Sequence, residues 1–265
     1  METLVAAEGE PVFVIRDDPP RWWRRRRPRA VVASVAAAAV VSLAAWVVVA
    51  QVIPTMRVAR RVACLQNLKR VGLALNEYHD ARQCFPRPAV TDSDGKPLLS
   101  WRVEILPRLG YQKLYDEFRK DEPWDGPHNR KLVARIPPVF VCPGTSGAST
   151  GETGYRVVVG PKTELGSLNT MFEPGRGVDV REVVDGTSGT LMVVESADLV
   201  PWTKPDEFQW AKGEPLPRFG SPHDGGFNAL FGDGSARFLR ATLPPAMLQA
   251  LITINGGEVI SGGDS

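Results

Sequence analysis

The sequence has few of the residue patterns that enzymatic and metal sites require. It contains three cysteines and three histidines, and it lacks a Cys-x-x-Cys pair of the kind that forms zinc ribbons or thioredoxin-type redox sites. It also lacks a Gly-x-Ser-x-Gly nucleophile elbow and a glycine-rich loop that would cradle phosphate. We therefore expect no enzymatic activity and no cofactor.

An excess of charge of one sign is also absent. The formal net charge is +2, and residues 1–29 account for all of it with seven arginines and five acids. The rest of the chain is neutral, so it lacks the basic surface that nucleic-acid binding requires, and no nucleic acid is expected as a partner. The arginine run at 24–27 allows a second interpretation as a nucleic-acid arm, but the apolar stretch beside it favours a membrane flank.

What the sequence does have is a long uncharged stretch at residues 30–53. These 24 residues are mostly alanine and valine. As a helix they would extend about 36 Å, enough to cross a hydrocarbon core of about 30 Å. We predict a transmembrane helix that contacts membrane lipid. A cleaved signal peptide is the competing interpretation, although its apolar region is usually only about 7–15 residues long.

The flanks of this stretch predict its orientation. Six arginines lie at residues 21–29, together with Trp22 and Trp23. Clustered positive charge marks the cytoplasmic side, and tryptophan favours the interface. The chain is therefore divided into a basic cytoplasmic tail at 1–29, a transmembrane helix at 30–53 and an exported domain at 54–265.

A second helical pattern follows without a turn signal. Apolar residues recur every three or four positions from Val58 to Tyr78, which predicts an amphipathic helix that continues to about Arg82 and stops before Pro86. Pro54 is expected to kink this helix rather than end it. The two segments together predict one helix of about 50 residues, half in lipid and half packed on a globular head.

The remaining chain predicts a small α+β domain. Residues 86–97 form a polar loop, and Ser100 caps a short helix. Strand patterns lie late in the chain, and Gly232-Asp233-Gly234 predicts a hairpin turn. Helices come first and strands later, so the sheet should be largely antiparallel. Further short helices are expected at 111–119, 129–135 and 244–252, and strands at 155–159, 190–195, 227–231 and 236–239.

The cysteines leave two interpretations open. In an oxidising compartment two of the three can pair. Pairing of Cys64 with Cys142 is favoured, because it would fasten the long helix to the segment that enters the sheet, and Cys84 would then be a packed thiol. Three buried free thiols are the alternative.

Asp-Gly pairs occur five times in the chain. Turn chemistry explains them, because aspartate bonds to local backbone and glycine accepts positive φ. Calcium is the functional alternative, since carboxylate-rich loops can supply oxygen ligands, but the spacing of a calcium-binding hand is absent. We therefore expect no metal site at these pairs.

The segment SPHDGGFNALFGDGSARFL contains His223, nine further residues and then Asp233-Gly234. Six other stretches belong to the same pattern: RRVACLQNLKRVGLALNEYHD at 60–80, SWRVEILPRL at 100–109, EPWDGPHNRKL at 122–132, FVCPG at 140–144, DGTSGTLMVVE at 185–195 and PWTKP at 201–205. Together these stretches resemble a large bacterial family of prepilin-like proteins with a domain of unknown function and a prepilin-processing-associated His-x9-Asp-Gly motif. The resemblance covers about residues 55–257.

The resemblance implies a pseudopilin-like fold, in which a long N-terminal helix packs on a small, largely antiparallel sheet. It implies a bacterial inner-membrane protein with the N-terminus inside and the C-terminal domain in the periplasm, and it supplies no activity. His223, Asp233 and Gly234 carry over as motif residues without a known role. We expect a hydrogen bond between His223 and Asp233 that fixes the hairpin, with a metal pair as the alternative.

The chain departs from this family at the start of the apolar helix. Family members often have a glycine followed by Phe-Thr-Leu-Ile-Glu, whereas this chain has RRRRPRAVVASVAAAAVV. Cleavage by prepilin peptidase is therefore not expected, and the subunit would then stay in the membrane.

Three functions compete. The first is a non-enzymatic structural or assembly subunit related to type II secretion and type IV pilus pseudopilins, with itself or other pilin-like subunits as partners. The second is a monomeric, membrane-tethered periplasmic binding or sensor module with a tryptophan-lined pocket. The third is a hydrolase, which requires His223 or His128 beside a serine or carboxylate in a cleft. The first is the prediction.

Overall fold

The computed structural model describes residues 4–5, 11–12, 28–145, 151–161 and 170–257. The chain divides into two compact units, Met1–Thr55 and Met56–Ser265. In the first unit, strand β1 (Leu4–Val5) pairs antiparallel with β2 (Pro11–Val12), and helix α1 covers Pro28–Val47. Most of the predicted basic tail at 1–29 lies outside the described residues.

Helix α1 exposes its apolar side chains. Val40 is 66% exposed, Val41 68% and Trp46 61%. The helical stretch Val31–Arg82 contains an apolar window long enough to cross a membrane, and none of that window is buried within the described part of the chain. It is the one helix of the described residues that meets this condition.

The helical stretch passes Pro54 without ending, as predicted. A proline has no N–H to donate, and its ring clashes with the carbonyl four residues earlier. Directly before it, Val48–Val52 form a π-helical segment in which the Ile53 N–H bonds to the Val48 carbonyl. The wider spacing of a π-turn relieves that clash and lets helix α2 (Ile53–Arg82) begin at once.

The buried side of α2 forms the centre of the second unit. Leu68, Val71 and Leu75 are each 0% exposed and belong to the main hydrophobic cluster. Gly72 brings the helix close to the sheet, because a Cβ at this position would lie 2.6 Å from Leu230 Cδ1. The helix ends at Arg82, and the next residue, Gln83, has a φ of +59°. This end agrees with the prediction.

Residues 86–97 differ from the predicted polar loop. Strand β3 (Ala89–Thr91) pairs antiparallel with β4 (Pro97–Ser100). Asp92 builds the turn between them, because its Oδ1 accepts from the backbone N–H groups of Asp94 and Lys96 at 3.0 and 2.8 Å. The strands are only three and four residues long, too short for periodicity to reveal from the sequence.

Short helices follow this hairpin. Helix α3 (Trp101–Glu104) is capped by Ser100, whose hydroxyl accepts from the Arg102 N–H, as predicted. Helix α4 covers Gln112–Glu117, within the predicted range. The other short helical segments are the 3-10 helices Leu106–Leu109, Asn129–Arg135, Pro138–Phe140 and Val180–Glu182, and helix α5 (Pro245–Ile252).

Six further strands follow along the chain: β5 (Glu152–Arg156), β6 (Val158–Val159), β7 (Leu191–Pro201), β8 (Phe208–Gln209), β9 (Gly226–Phe231) and β10 (Ala236–Arg240). Four of them build one antiparallel sheet in the order β10-β9-β7-β5. The two short strands β6 and β8 pair parallel with each other. The predicted hairpin is present as β9 and β10.

Both faces of the central strands are covered. On one face Val193 and Leu230 join the hydrophobic cluster that contains the buried side of α2. On the other face Phe231 joins a second cluster with Leu251 and Ile252 of α5. The fold is therefore α+β, with a long N-terminal helix and a largely antiparallel sheet, as predicted.

Candidate functional site

A disulfide between α2 and the segment before β5 lies at the centre of the candidate site. Cys64 and Cys142 are joined with their Cα atoms 5.2 Å apart, which is the pairing that the sequence analysis favoured. Cys84 is a free, half-buried thiol. Asn67 Nδ2 donates to the Val141 carbonyl at 2.9 Å, so a hydrogen bond holds the same junction one turn further along the helix.

His223 lies directly against this disulfide. Its Nε2 is 3.4 Å from Cys142 Sγ, and its side chain is only 5% exposed. The backbone N–H of His223 donates to Ser221 Oγ at 3.0 Å, which fixes the loop before β9. Gly144 leaves room for the ring, because a Cβ there would lie 2.9 Å from His223 Cε1.

Glu195 of β7 completes the cluster. Its Oε2 accepts from the Asn228 N–H at 2.8 Å. Its Oε1 lies 3.6 Å from His223 Nε2, beyond hydrogen-bond distance, and has no hydrogen-bond partner in the described part of the chain. The Glu195 side chain is 2% exposed. A buried carboxylate oxygen therefore lies beside the imidazole without being satisfied by it.

Tyr155 lies in the same buried environment as Glu195. Its hydroxyl donates to the Cys64 carbonyl at 3.3 Å. Burial raises the pKa of Tyr155, and the nearby charge of Glu195 raises it further. The phenol therefore stays neutral and keeps the proton that it donates to the Cys64 carbonyl.

The two cysteines, Glu195 and His223 form a cluster of residues that can ligate a metal ion. It is the one such cluster of three or more residues within the described part of the chain. One ligand atom from each of Cys64, Cys142, Glu195 and His223 lies within 4.8 Å of the others. They come from α2, the segment after Pro138–Phe140, β7 and the loop before β9. The fold therefore assembles the cluster from positions far apart in sequence.

The predicted hydrogen bond between His223 and Asp233 is wrong. Asp233 Oδ1 accepts from the Ser235 N–H at 2.8 Å, and Gly234 has a φ of +82°. The turn between β9 and β10 is thus closed by its own residues. His223 faces the disulfide and Glu195, because the loop before β9 turns its ring toward Cys142.

The other two histidines contact backbone groups. His128 Nε2 lies 2.8 Å from the Glu117 carbonyl oxygen. His79 Nε2 accepts from the Val180 N–H at 3.1 Å, which ties the end of α2 to the 3-10 helix Val180–Glu182. Each histidine therefore holds two segments of the chain together.

Four of the five Asp-Gly pairs have the glycine in the backbone conformation of a tight turn. Gly95, Gly186, Gly225 and Gly234 all have positive φ values, between 81° and 89°. Asp185 Oδ2 and Oδ1 accept from the backbone N–H groups of residues 256 and 257 at 2.6 and 3.0 Å. Turn chemistry therefore accounts for these four glycines, whereas the Asp185 carboxylate binds backbone that is far away in the sequence.

Three of the four tryptophans of the second unit lie in the core. Trp101 and Trp202 are 0% exposed, and Trp210 is 5% exposed. Trp124 lines a surface depression together with Asp125 and Arg130. A pocket lined by several tryptophans is not formed by these four residues.

The apolar helix and the α+β unit fit a membrane-anchored envelope protein. Residues 55–216 match the model of a family described as "Protein of unknown function (DUF1559)", so the chain belongs to this family. Neither a curated protein nor a solved structure matches the chain. Cys64, Cys142 and Glu195 lie inside the matched segment, whereas His223 lies beyond it.

Proposed function

We propose that this chain is a non-enzymatic structural or assembly subunit of the bacterial cell envelope, related to type II secretion and type IV pilus pseudopilins. In this proposal α1 lies in the inner membrane, the N-terminus is cytoplasmic and residues 54–265 are periplasmic. The observation that carries the proposal is the exposed apolar surface of α1.

The energetics of α1 support a lipid environment. Its valines and Leu43 are 41–68% exposed, and burying one such side chain fully is worth roughly 1.5–3 kcal/mol. A bilayer covers all of them at once. The alanines at 36–39 and 44–45 would also let a second helix approach closely.

Helix α2 offers a second contact surface. Val58 is 52% exposed, Val62 43% and Leu73 61%, while Leu75, two residues further on, is 0% exposed. These exposed side chains give α2 an apolar surface in addition to its buried side. We assign them to contact with a second copy of the chain.

In-membrane photocrosslinking tests this proposal. A photoreactive amino acid is placed at Leu73 or Val62 of the full chain, and at the exposed Lys212 as the matched control. We expect crosslinked dimers from the two α2 positions and none from Lys212. Equal yields at all three positions would mean random collision.

The competing function gives a different pattern. A monomeric, tethered binding or sensor module would yield only monomers from Leu73 and Val62, at expression levels where the protein is confined to the membrane fraction. That result would overturn the assembly proposal while leaving the membrane anchor intact.

A further inference from the structure

We propose that Cys64, Cys142, His223 and Glu195 bind a zinc ion when the disulfide is reduced. A tetrahedral zinc site has bond lengths of about 2.0–2.3 Å, so neighbouring ligand atoms lie roughly 3.3–3.8 Å apart. His223 Nε2 is 3.4 Å from Cys142 Sγ and 3.6 Å from Glu195 Oε1. Two edges of the tetrahedron therefore already have the right length.

A tetrahedral site also requires the two sulfur atoms to separate. Cys64 Sγ and Cys142 Sγ are bonded in the oxidised chain, and reduction lets them move apart. Since all four ligand atoms already lie within 4.8 Å of one another, rotation of the cysteine side chains is enough to complete the site.

Glu195 provides an independent sign of a missing ligand. Its Oε1 is buried, has no hydrogen-bond partner in the described residues and lies beside His223. The Asn228 N–H holds Oε2 and so orients the carboxylate. A buried, unsatisfied oxygen is unfavourable, and a cation at the centre of the cluster would satisfy it.

The chemistry balances with a dithiol reductant. The reductant gives two electrons and two protons to the S–S bond, forms its own disulfide and leaves two protein thiols. Zinc then displaces the two thiol protons and takes the neutral His223 Nε2 and the Glu195 carboxylate as its other ligands. A disulfide-type oxidant reverses these steps and releases the ion. The Cys64–Cys142 disulfide and the bound zinc therefore cannot be present at the same time.

Other contacts hold the four ligands together in the reduced chain. Leu68, Val71 and Leu75 are buried in the hydrophobic cluster that packs α2 on the sheet, and breaking the S–S bond removes none of these side chains from it. Asn67 keeps its hydrogen bond to the Val141 carbonyl beside Cys142. The ligands therefore stay close together after the S–S bond is broken.

The test uses the full chain in detergent micelles, reduced by a phosphine and titrated with Co²⁺ in the absence of oxygen. We expect a 1:1 complex with thiolate-to-cobalt charge-transfer bands and the visible bands of tetrahedral cobalt, which Zn²⁺ then abolishes. The oxidised chain should show neither set of bands. His223→Ala and Glu195→Gln should each weaken binding by at least about tenfold, and His128→Ala should leave it unchanged.

Folding is controlled within the same experiment. The His223 and Glu195 variants retain the disulfide, so circular dichroism of their oxidised forms shows whether they fold before reduction. The proposal is overturned if the reduced wild-type chain gives no charge-transfer bands, if Cys64→Ala/Cys142→Ala keeps them, or if reduction alone unfolds the chain. None of these outcomes depends on assembly in the membrane.

Discussion

At the scale of single residues, Arg102 is a fully buried arginine held by several acceptors. Its guanidinium donates to Glu207 Oε1 at 2.8 Å, to Ser100 Oγ at 2.6 Å and, through Nε, to the Tyr155 carbonyl at 2.9 Å. Burial raises the pKa of Glu207, and the charge of Arg102 opposes this shift. The pair therefore connects α3 to the sheet through a dry ionic contact.

Replacing Arg102 by methionine should destabilise the fold strongly. Glu207 would be left buried without its cationic partner, and breaking a buried ion pair in this way costs about 3–5 kcal/mol. Chemical unfolding of the full chain in micelles measures the loss. Arg135→Met, which breaks the exposed pair with Glu117, is the matched control and should cost much less. Equal losses would contradict the role given to Arg102.

Lys120 is a half-buried lysine whose ammonium donates to the Tyr115 carbonyl at 2.8 Å. Burial lowers the pKa of Lys120 to about 8, against the opposing charges of Glu104 and Asp116. An ordinary lysine has a pKa of about 10.4. Between these two values the unfolded chain binds more protons than the folded one, so the free energy of unfolding rises with pH from about 8 to about 10.4 and falls again over the same interval as the pH is lowered.

Competitive acylation tests this shift. Lys120 should reach half of its maximal reactivity near pH 8 because its neutral amine appears there. Mass spectrometry of the labelled peptides follows it, with the exposed Lys113 as the reference amine. A Lys120 profile that reaches half-maximum only near the ordinary lysine value would contradict the prediction.

At the scale of elements, the disulfide closes a large loop. Cys64 and Cys142 are 78 residues apart in sequence, and the entropy that such a crosslink removes from the unfolded chain corresponds to about 4 kcal/mol. Cys64→Ala/Cys142→Ala should therefore lower the melting temperature of the full chain by roughly 8–16 °C. Cys84→Ala is the control and should have a small effect. An unchanged melting temperature in the double variant would contradict this account.

The sequence predicted the helices and strands whose residue pattern extends over many positions. Spacing of three and four revealed α2 to its last turn, and the turn residues Gly232-Asp233-Gly234 between two strand patterns revealed the hairpin. The β3–β4 hairpin was missed, because its strands have three and four residues and its turn depends on one aspartate side chain. Short elements are determined by tertiary burial, which a sequence pattern does not display.

The candidate site was predicted only in part. The sequence pointed to Cys64, Cys142 and His223 separately, but assigned His223 to the wrong partner. Glu195 was missed, although an acid at the end of the apolar run LMVVE is unusual for a buried strand. The cluster joins residues from four segments, and only the three-dimensional fold brings them together.

At the scale of the whole molecule, the membrane assignment depends on the middle of α1. Val40 and Val41 are 66% and 68% exposed, and each lysine at the centre of a spanning helix costs about 3 kcal/mol on insertion. Val40→Lys/Val41→Lys should therefore move the protein out of the carbonate-resistant membrane fraction. Val40→Leu/Val41→Leu should remain there. A doubly lysine-substituted chain that still resists extraction would contradict the anchor.

The disulfide also determines how the second unit would bear a mechanical load. If tension is applied between the N-terminal end of α2 and the C-terminus, it passes from Cys64 to Cys142 through the covalent S–S bond. Residues 65–141, which include most of α2 together with α3 and α4, lie inside the closed loop and carry none of the stretching force. Only the part of α2 before Cys64 and the segments after Cys142 could be drawn out, so residues 65–141 would keep their shape while the four-stranded sheet gave way.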